Sequence, residues 1–203
     1  TLNIANENFL KGSYVFSRDA GAPLGSITVE KGANINTLTD SASFITSQFS
    51  NAGNITGPAI QVAVGDRVTL GDNLVGFTID ENVKEAYSQA AINNSGKMTA
   101  ENIALAAKTL HDATKASIVN TGDIKALKVV TGEGGSIELV ADTGVVRSTG
   151  LLDASGSTGG DITVSGQNVS LGDNSVTDAS GLYGGGSIRI GGGFHGTDST
   201  VSN

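Results

Sequence analysis

The chain has no cysteine, no tryptophan and only two prolines, Pro23 and Pro58, in 203 residues. Without cysteine there is neither a disulfide scaffold nor a thiolate zinc site. Nothing in the chain can cross-link in an oxidising compartment. Scarce proline leaves nearly every backbone N–H able to donate in a sheet ladder. Aromatic residues are 4% of the chain. No run approaches the roughly 18 apolar residues of a membrane-spanning helix, so no membrane insertion is expected. Positive charge is sparse: 12 Lys and Arg stand singly against 20 Asp and Glu, a net charge of −8. With no basic stripe, a nucleic-acid partner is disfavoured. The two histidines, His111 and His195, read as polar surface. With no paired histidines and no cysteine, neither a metal nor another cofactor is expected.

What the chain does have is glycine, 29 residues of it, and a phrase that recurs. Gly134-Gly135-Ser136-Ile137-Glu138-Leu139 returns as Gly159-Gly160-Asp161-Ile162-Thr163-Val164 and again as Gly185-Gly186-Ser187-Ile188-Arg189-Ile190. The second glycine moves from 135 to 160 to 186, steps of 25 and 26. Asp153-Ala154-Ser155-Gly156 recurs as Asp178-Ala179-Ser180-Gly181 on the same beat. A fixed period of this size marks a repeat architecture whose units bury their apolar faces only by stacking. The repeated unit is a β-branched run with period-2 alternation between glycine turns, which predicts a β-solenoid with rungs of about 25 residues. Alternation puts Ile137, Ile162 and Ile188 in one inward ladder, with Leu139, Val164 and Ile190 in the next. Glu138, Thr163 and Arg189 then face outward.

An Asn/Ser-x-Gly turn followed by a strand traces the beat backwards at Asn51-Ala52-Gly53, Asn94-Ser95-Gly96, Asn120-Thr121-Gly122 and Ser148-Thr149-Gly150. A side-chain oxygen bonding the local backbone, with glycine at a left-handed corner, explains the pattern. The interval from Gly53 to Gly96 is 43 residues, close to two rungs, so Gly71-Asp72 is expected to make the missing turn. Seven to nine rungs would fill the chain. The whole is expected to be one β-helix domain, residues 1–203, with irregular rungs and extra-helical elements over 1–95 and regular rungs over 96–203. In the N-terminal part a hairpin turning at Lys11-Gly12-Ser13 is expected to lay Phe9, Tyr14 and Phe16 over the coil. Two segments carry helical signals. In 80–91, Asp80 stands as an N-cap before Val83, Ala86 and Tyr87. In 99–116 the beat demands a rung, so 101–107 is read as a strand and 110–116 as a short corner helix.

Enzymatic parallel coils acting on carbohydrate need an acid, a base and a cation converging on one face. Here Asp153 and Asp178 stack on successive rungs, but each opens an Asp-Ala-Ser-Gly turn and reads as a turn former. No catalytic residues are assigned. Gly184-Gly185-Gly186-Ser187 lacks the lysine of a phosphate loop. Rigid coils meet partners through insertions, so Glu81, Lys84, Glu85 and Tyr87 are the candidate partner-binding residues.

Thr1-Leu2-Asn3-Ile4-Ala5-Asn6-Glu7-Asn8-Phe9-Leu10 with Tyr14-Val15-Phe16-Ser17, then Ile118-Val119-Asn120-Thr121-Gly122, Gly150-Leu151-Leu152-Asp153-Ala154-Ser155-Gly156 and Gly184-Gly185-Gly186-Ser187-Ile188-Arg189-Ile190, stand in a meaningful order. In these phrases the chain resembles the filamentous-haemagglutinin-type exoproteins of Gram-negative bacteria, exported by two-partner secretion. The resemblance implies a right-handed parallel β-helix in a secreted or cell-surface adhesin. It also implies an outer-membrane β-barrel transporter as export partner, and a host surface glycan or protein as ligand. A monomer is expected. The alternatives are capture of a specific host protein such as a haem carrier, and a β-helical carbohydrate-active enzyme. The family's secretion module carries Asn-Pro-Asn motifs upstream of the opening phrase, and none occurs here. Thr1-Leu2-Asn3-Ile4 reads as the start of a strand, so the chain is expected to be a piece of a longer protein, beginning inside or just after the part that engages the transporter.

Overall fold

The repeated phrases stack in register. In the computed structural model, which describes residues 2–71, 74, 76–84, 89–109 and 116–191, Ile137 pairs with Ile162 and Ile162 with Ile188 in parallel strands. Ile137, Leu139, Ile162 and Val164 are fully buried, whereas Glu138 and Arg189 are exposed and Thr163 half-buried. Ile188 and Ile190 belong to the same ladders but stay 45% and 44% exposed, since no further rung covers them among the described residues. The fold is a right-handed parallel β-helix.

Each rung visits three faces in turn. One stacks Ala42–Thr46, Ala59–Val64, Asn102–Ala107 and the first halves of Ser136–Ser148 and Asp161–Leu171, ending on Ser187–Ile190. The next stacks Ser26–Val29, Gln48–Asn51, Ile92–Asn94, Ala116–Asn120 and the second halves of the two long strands. Those long strands turn the corner between faces through an irregularity between Ala141 and Val145. The third face runs Asn34–Asn36, Asn54–Thr56, Lys97–Ala100, Asp123–Ala126, Leu151–Asp153 and Val176–Asp178. Inside, like stacks on like: Phe49, Ile92, Ile118 and Val146 on one face, Ile55, Met98, Ile124 and Leu152 on another, all essentially without solvent contact. Each such side chain contributes about 1.5–3 kcal/mol by leaving water, and does so against its two neighbouring rungs only.

The third face has six strands among the described residues, fewer than the expected seven to nine rungs. The difference lies in the 43-residue interval. Asn54–Thr56 pairs directly with Lys97–Ala100, so Gly53 and Gly96 sit on adjacent rungs. The surplus residues leave the coil as an antiparallel hairpin, Arg67–Leu70 with Phe77–Glu81, and Gly71 belongs to its turn, where its N–H bonds the Gly76 carbonyl at 3.0 Å. No rung is missing there.

The recurrent Asn/Ser-x-Gly phrase also does more than turn the chain. Asn51 Oδ1 accepts from the Gly53 N–H at 3.1 Å, the local bond anticipated. Its Nδ2 donates to Asn94 Oδ1 at 2.8 Å, Asn94 Nδ2 to Asn120 Oδ1 at 2.8 Å, and Asn120 Nδ2 to Ser148 Oγ at 3.2 Å. All four side chains are buried, so each finds in the rung above or below the partner that water cannot supply. Asn94→Ala would take the donor from Asn120 Oδ1 and leave Asn51 Nδ2 with only the Lys97 carbonyl at 3.5 Å. A destabilisation of about 2–5 kcal/mol is expected in urea unfolding, from two buried polar groups losing partners. A loss below about 0.5 kcal/mol would mean the ladder contributes nothing to stability.

The N-terminal part departs from a simple hairpin. Asn6–Leu10 is a short α-helix, and Lys11 and Gly12 (φ 74°) close it, not a hairpin turn. Val15–Ser17 then pairs antiparallel with Arg67–Leu70, completing a three-stranded sheet outside the coil. Phe16 packs into a second small core with Leu2, Ala63 and Val68, flanked by Ile45, Phe77 and Ile79. That core covers the outer side of the face carrying Ala42–Thr46 and Ala59–Val64. Phe9, in contrast, remains 51% exposed and meets Tyr14 edge-on at 5.6 Å. The helical signal at 80–91 is overridden where it begins: Asp80 and Glu81 are strand residues. Pairing with Arg67–Leu70 supplies the backbone bonds an isolated first helical turn would lack. The segment 101–107 is the strand Asn102–Ala107 within one residue of expectation. Residues 85–88 and 110–115 lie outside the described residues, and Ala116 opens a strand.

Candidate functional site

The coil interior is filled by apolar ladders and asparagines, so any chemistry must lie on the outside. Of the four candidate partner-binding residues, Glu81 and Lys84 are brought together: Lys84 Nζ lies 3.6 Å from Glu81 Oε2, with the two side chains 69% and 47% exposed. Glu85 and Tyr87 lie outside the described residues. Glu81 ends the hairpin strand, and its carbonyl accepts from the Asp66 N–H at 2.9 Å. An exposed pair of this kind contributes little to stability and is free to meet a partner.

Beneath it sits a junction that sequence reading passed over. Arg18 holds Asp66 in a two-point pair, Nε to Oδ1 at 2.8 Å and Nη2 to Oδ2 at 3.0 Å, with side chains only 9% and 8% exposed. Arg18 also donates to the Ala22 carbonyl, and the Lys84 N–H donates to Asp66 Oδ2 at 3.2 Å. One buried carboxylate thus ties together the N-terminal segment, the hairpin base and the strand of chain returning at residue 84. Planar two-point pairing is what suits arginine to this place. Nothing in the one-dimensional pattern joins residues 18 and 66, 48 positions apart.

The stacked aspartates behave as turn formers. Asp153 Oδ1 accepts from the Ser155 N–H at 2.9 Å and the Ser155 hydroxyl at 2.6 Å, and Asp178 Oδ1 accepts from the Ser180 N–H at 2.8 Å. Burial pushes the Asp153 carboxyl up, but the two Ser155 bonds and Lys125, 3.0 Å away, outweigh it and hold the group below the ordinary carboxylate range. A lowered folded value means its stabilisation is present above about pH 4 and is lost as pH falls through that lowered value. Lys97 pairs likewise with Asp123 on the next rung, at 3.4 Å. These carboxylates are therefore committed to turns and cross-rung pairs. Among the described residues, no group of three or more His, Asp and Glu is placed to hold a metal ion.

No protein-family model and no curated protein matches the chain. Among solved structures, the HMW1 secretion domain from Haemophilus influenzae is similar over 100% of this chain, with a TM-score of 0.78 and 25% identity. The chain spans 53% of that structure, about half its length. The similarity runs over the whole of this chain and about half of that secretion domain.

Proposed function

We propose that this chain is a non-enzymatic β-helical part of a secretion domain, belonging to a longer adhesin-type exoprotein of a Gram-negative bacterium. An outer-membrane β-barrel transporter exports it by the two-partner route, and the folded product stands at the cell surface or in the medium as a monomeric scaffold. Host glycan or protein meets it at outward elements such as the Glu81–Lys84 pair. The observation that carries this reading is the similarity, over the full chain, to a secretion domain.

The architecture supports the mechanism. Each rung buries its side chains against the neighbouring rungs, so the coil folds progressively as it emerges and needs no distant segment to complete a core. Burial and ladder bonds formed outside then oppose back-sliding. The small N-terminal core and the Arg18–Asp66 pair close only when residue 66 and the hairpin have followed. The test is export of the chain within its parent exoprotein from a Gram-negative host that directs it to the periplasm, with and without the cognate transporter. The chain is expected in the culture medium only with the transporter. Equal amounts in the medium without it, or retention in the periplasm with it, would overturn the reading.

A further inference from the structure

The extra-helical sheet ends in a free edge. Its order is Val15–Ser17, Arg67–Leu70, Phe77–Glu81, and among the described residues the last strand pairs on one side only. That edge does not face open solvent. It borders a groove of about 480 Å³ whose floor is Asn102–Ala107 and whose far wall is the outer side of Ser136–Ser148. Consecutive residues Phe77, Thr78 and Ile79 line the near wall, so the groove runs along the strand's edge rather than across one of its faces. On the floor the outward positions are Ala104 and Ala106, with Val140 beyond them. The sheet covers the outer sides of Ala42–Thr46 and Ala59–Val64 through Ile45 and Ala63, then stops one coil strand short of Ala104 and Ala106. The step left behind has, among the described residues, an unpaired ladder edge on one side and small apolar side chains beneath.

The charge of the groove favours one kind of occupant. Lys108 is tied to Asp142 at 3.5 Å, while Glu138 on the far wall is exposed and forms no ion pair among the described residues. The groove therefore keeps one uncompensated negative charge. A second copy of a chain of net charge −8 would bring repulsion to it.

We propose that this groove is a strand-acceptor slot. It takes an extended segment of another polypeptide, of alternating apolar and polar residues with a basic side chain opposite Glu138, as a fourth antiparallel strand beside Phe77–Glu81. Main-chain bonds to the free edge hold the segment, and its apolar side chains extend the small outer core over Ala104 and Ala106. The slot is a property of the folded chain and stands apart from the route of export.

The probe is a fluorescein-labelled peptide about eight residues long, the length of a strand, alternating valine and threonine with one central lysine. Its twin has glutamate at that position. Fluorescence anisotropy with the whole chain is expected to show the lysine peptide binding about tenfold more tightly than its twin. Glu138→Lys, a surface change, reverses the preference. Ala104→Trp fills the floor and abolishes binding of both peptides, with thermal melting followed by circular dichroism to confirm folding. If Ala104→Trp fails to fold, the Glu138→Lys reversal decides. Absence of binding, equal binding of the twins, no reversal, or binding that survives a folded Ala104→Trp would overturn the proposal. So would concentration-dependent dimers in sedimentation that Ala104→Trp dissolves, since these would make a second copy the occupant.

Discussion

Ile162→Asp will cost more than about 4 kcal/mol, enough to remove the cooperative unfolding transition of a domain of ordinary stability. Ile162 is fully buried, with Ile137 on one neighbouring rung and Ile188 on the other. An aspartate there would place a carboxylate between two apolar rungs with no cation in reach, and an unpaired buried charge is among the costliest changes a core can receive. Thr163→Asp, one position along and facing outward, is the matched control. It should shift the transition by less than about 0.5 kcal/mol, as surface changes do. If urea unfolding shows the two variants alike, the inward and outward alternation is wrong.

Gly122→Val should lose about 3 kcal/mol or more, beyond the roughly 1–3 kcal/mol of ordinary overpacking. Sequence reading expects a left-handed corner at this glycine, yet it is not among the residues of positive φ. The requirement is proximity. A Cβ at Gly122 would collide with the Gly96 carbonyl oxygen and stand 2.7 Å from the Ser95 carbonyl carbon. Gly96 meets Gly53 in the same way, and Gly150 meets Gly122. The obstacle is backbone on the adjacent rung, so it cannot rotate aside. Asparagine separates the two explanations, because it tolerates the left-handed region but still carries a Cβ. Gly122→Asn should be about as damaging as Gly122→Ala. Substantial relief by asparagine would restore the left-handed reading.

These two sites show what was legible in one dimension. The inward ladder through Ile137, Ile162 and Ile188 follows from period-2 alternation on a 25-residue beat, because each rung is specified by its own residues and its neighbours'. Glycine at 53, 96, 122 and 150 was equally visible, but its cause was not. A turn and a close approach leave the same letter, and only the neighbouring rung distinguishes them. The asparagine ladder was visible in the same way: Asn51, Asn94, Asn120 and Ser148 share the glycines' spacing, which is the signal that their side chains meet. The outer sheet was illegible, since its strands pair Val15–Ser17 with residues some 50 positions later and follow no beat. The 43-residue interval accordingly has the length of two rungs but holds one rung and a hairpin. Of the candidate site, the sequence pointed to Glu81 and Lys84 as residues of an insertion but gave no sign that they pair, nor of Arg18–Asp66 beneath them. Long-range pairing outside the repeat leaves no periodic trace.

The absence of cysteine gives the proposed export a direct test. Glu138 and Thr163 are register partners on adjacent rungs, both with outward side chains, and parallel neighbours lie within disulfide reach. In the double variant Glu138→Cys/Thr163→Cys, the oxidising periplasm should close a loop of the intervening rung before the pore is passed. The decisive measurement is the amount of the chain, carried within its parent exoprotein, released to the medium through the cognate transporter by this variant and by the form without the two cysteines, with and without reductant. A chain that crosses extended and folds outside predicts about a tenfold fall for the unreduced pair, full recovery with reductant, and normal release of each single-cysteine variant. Undiminished release of the oxidised pair would contradict the account.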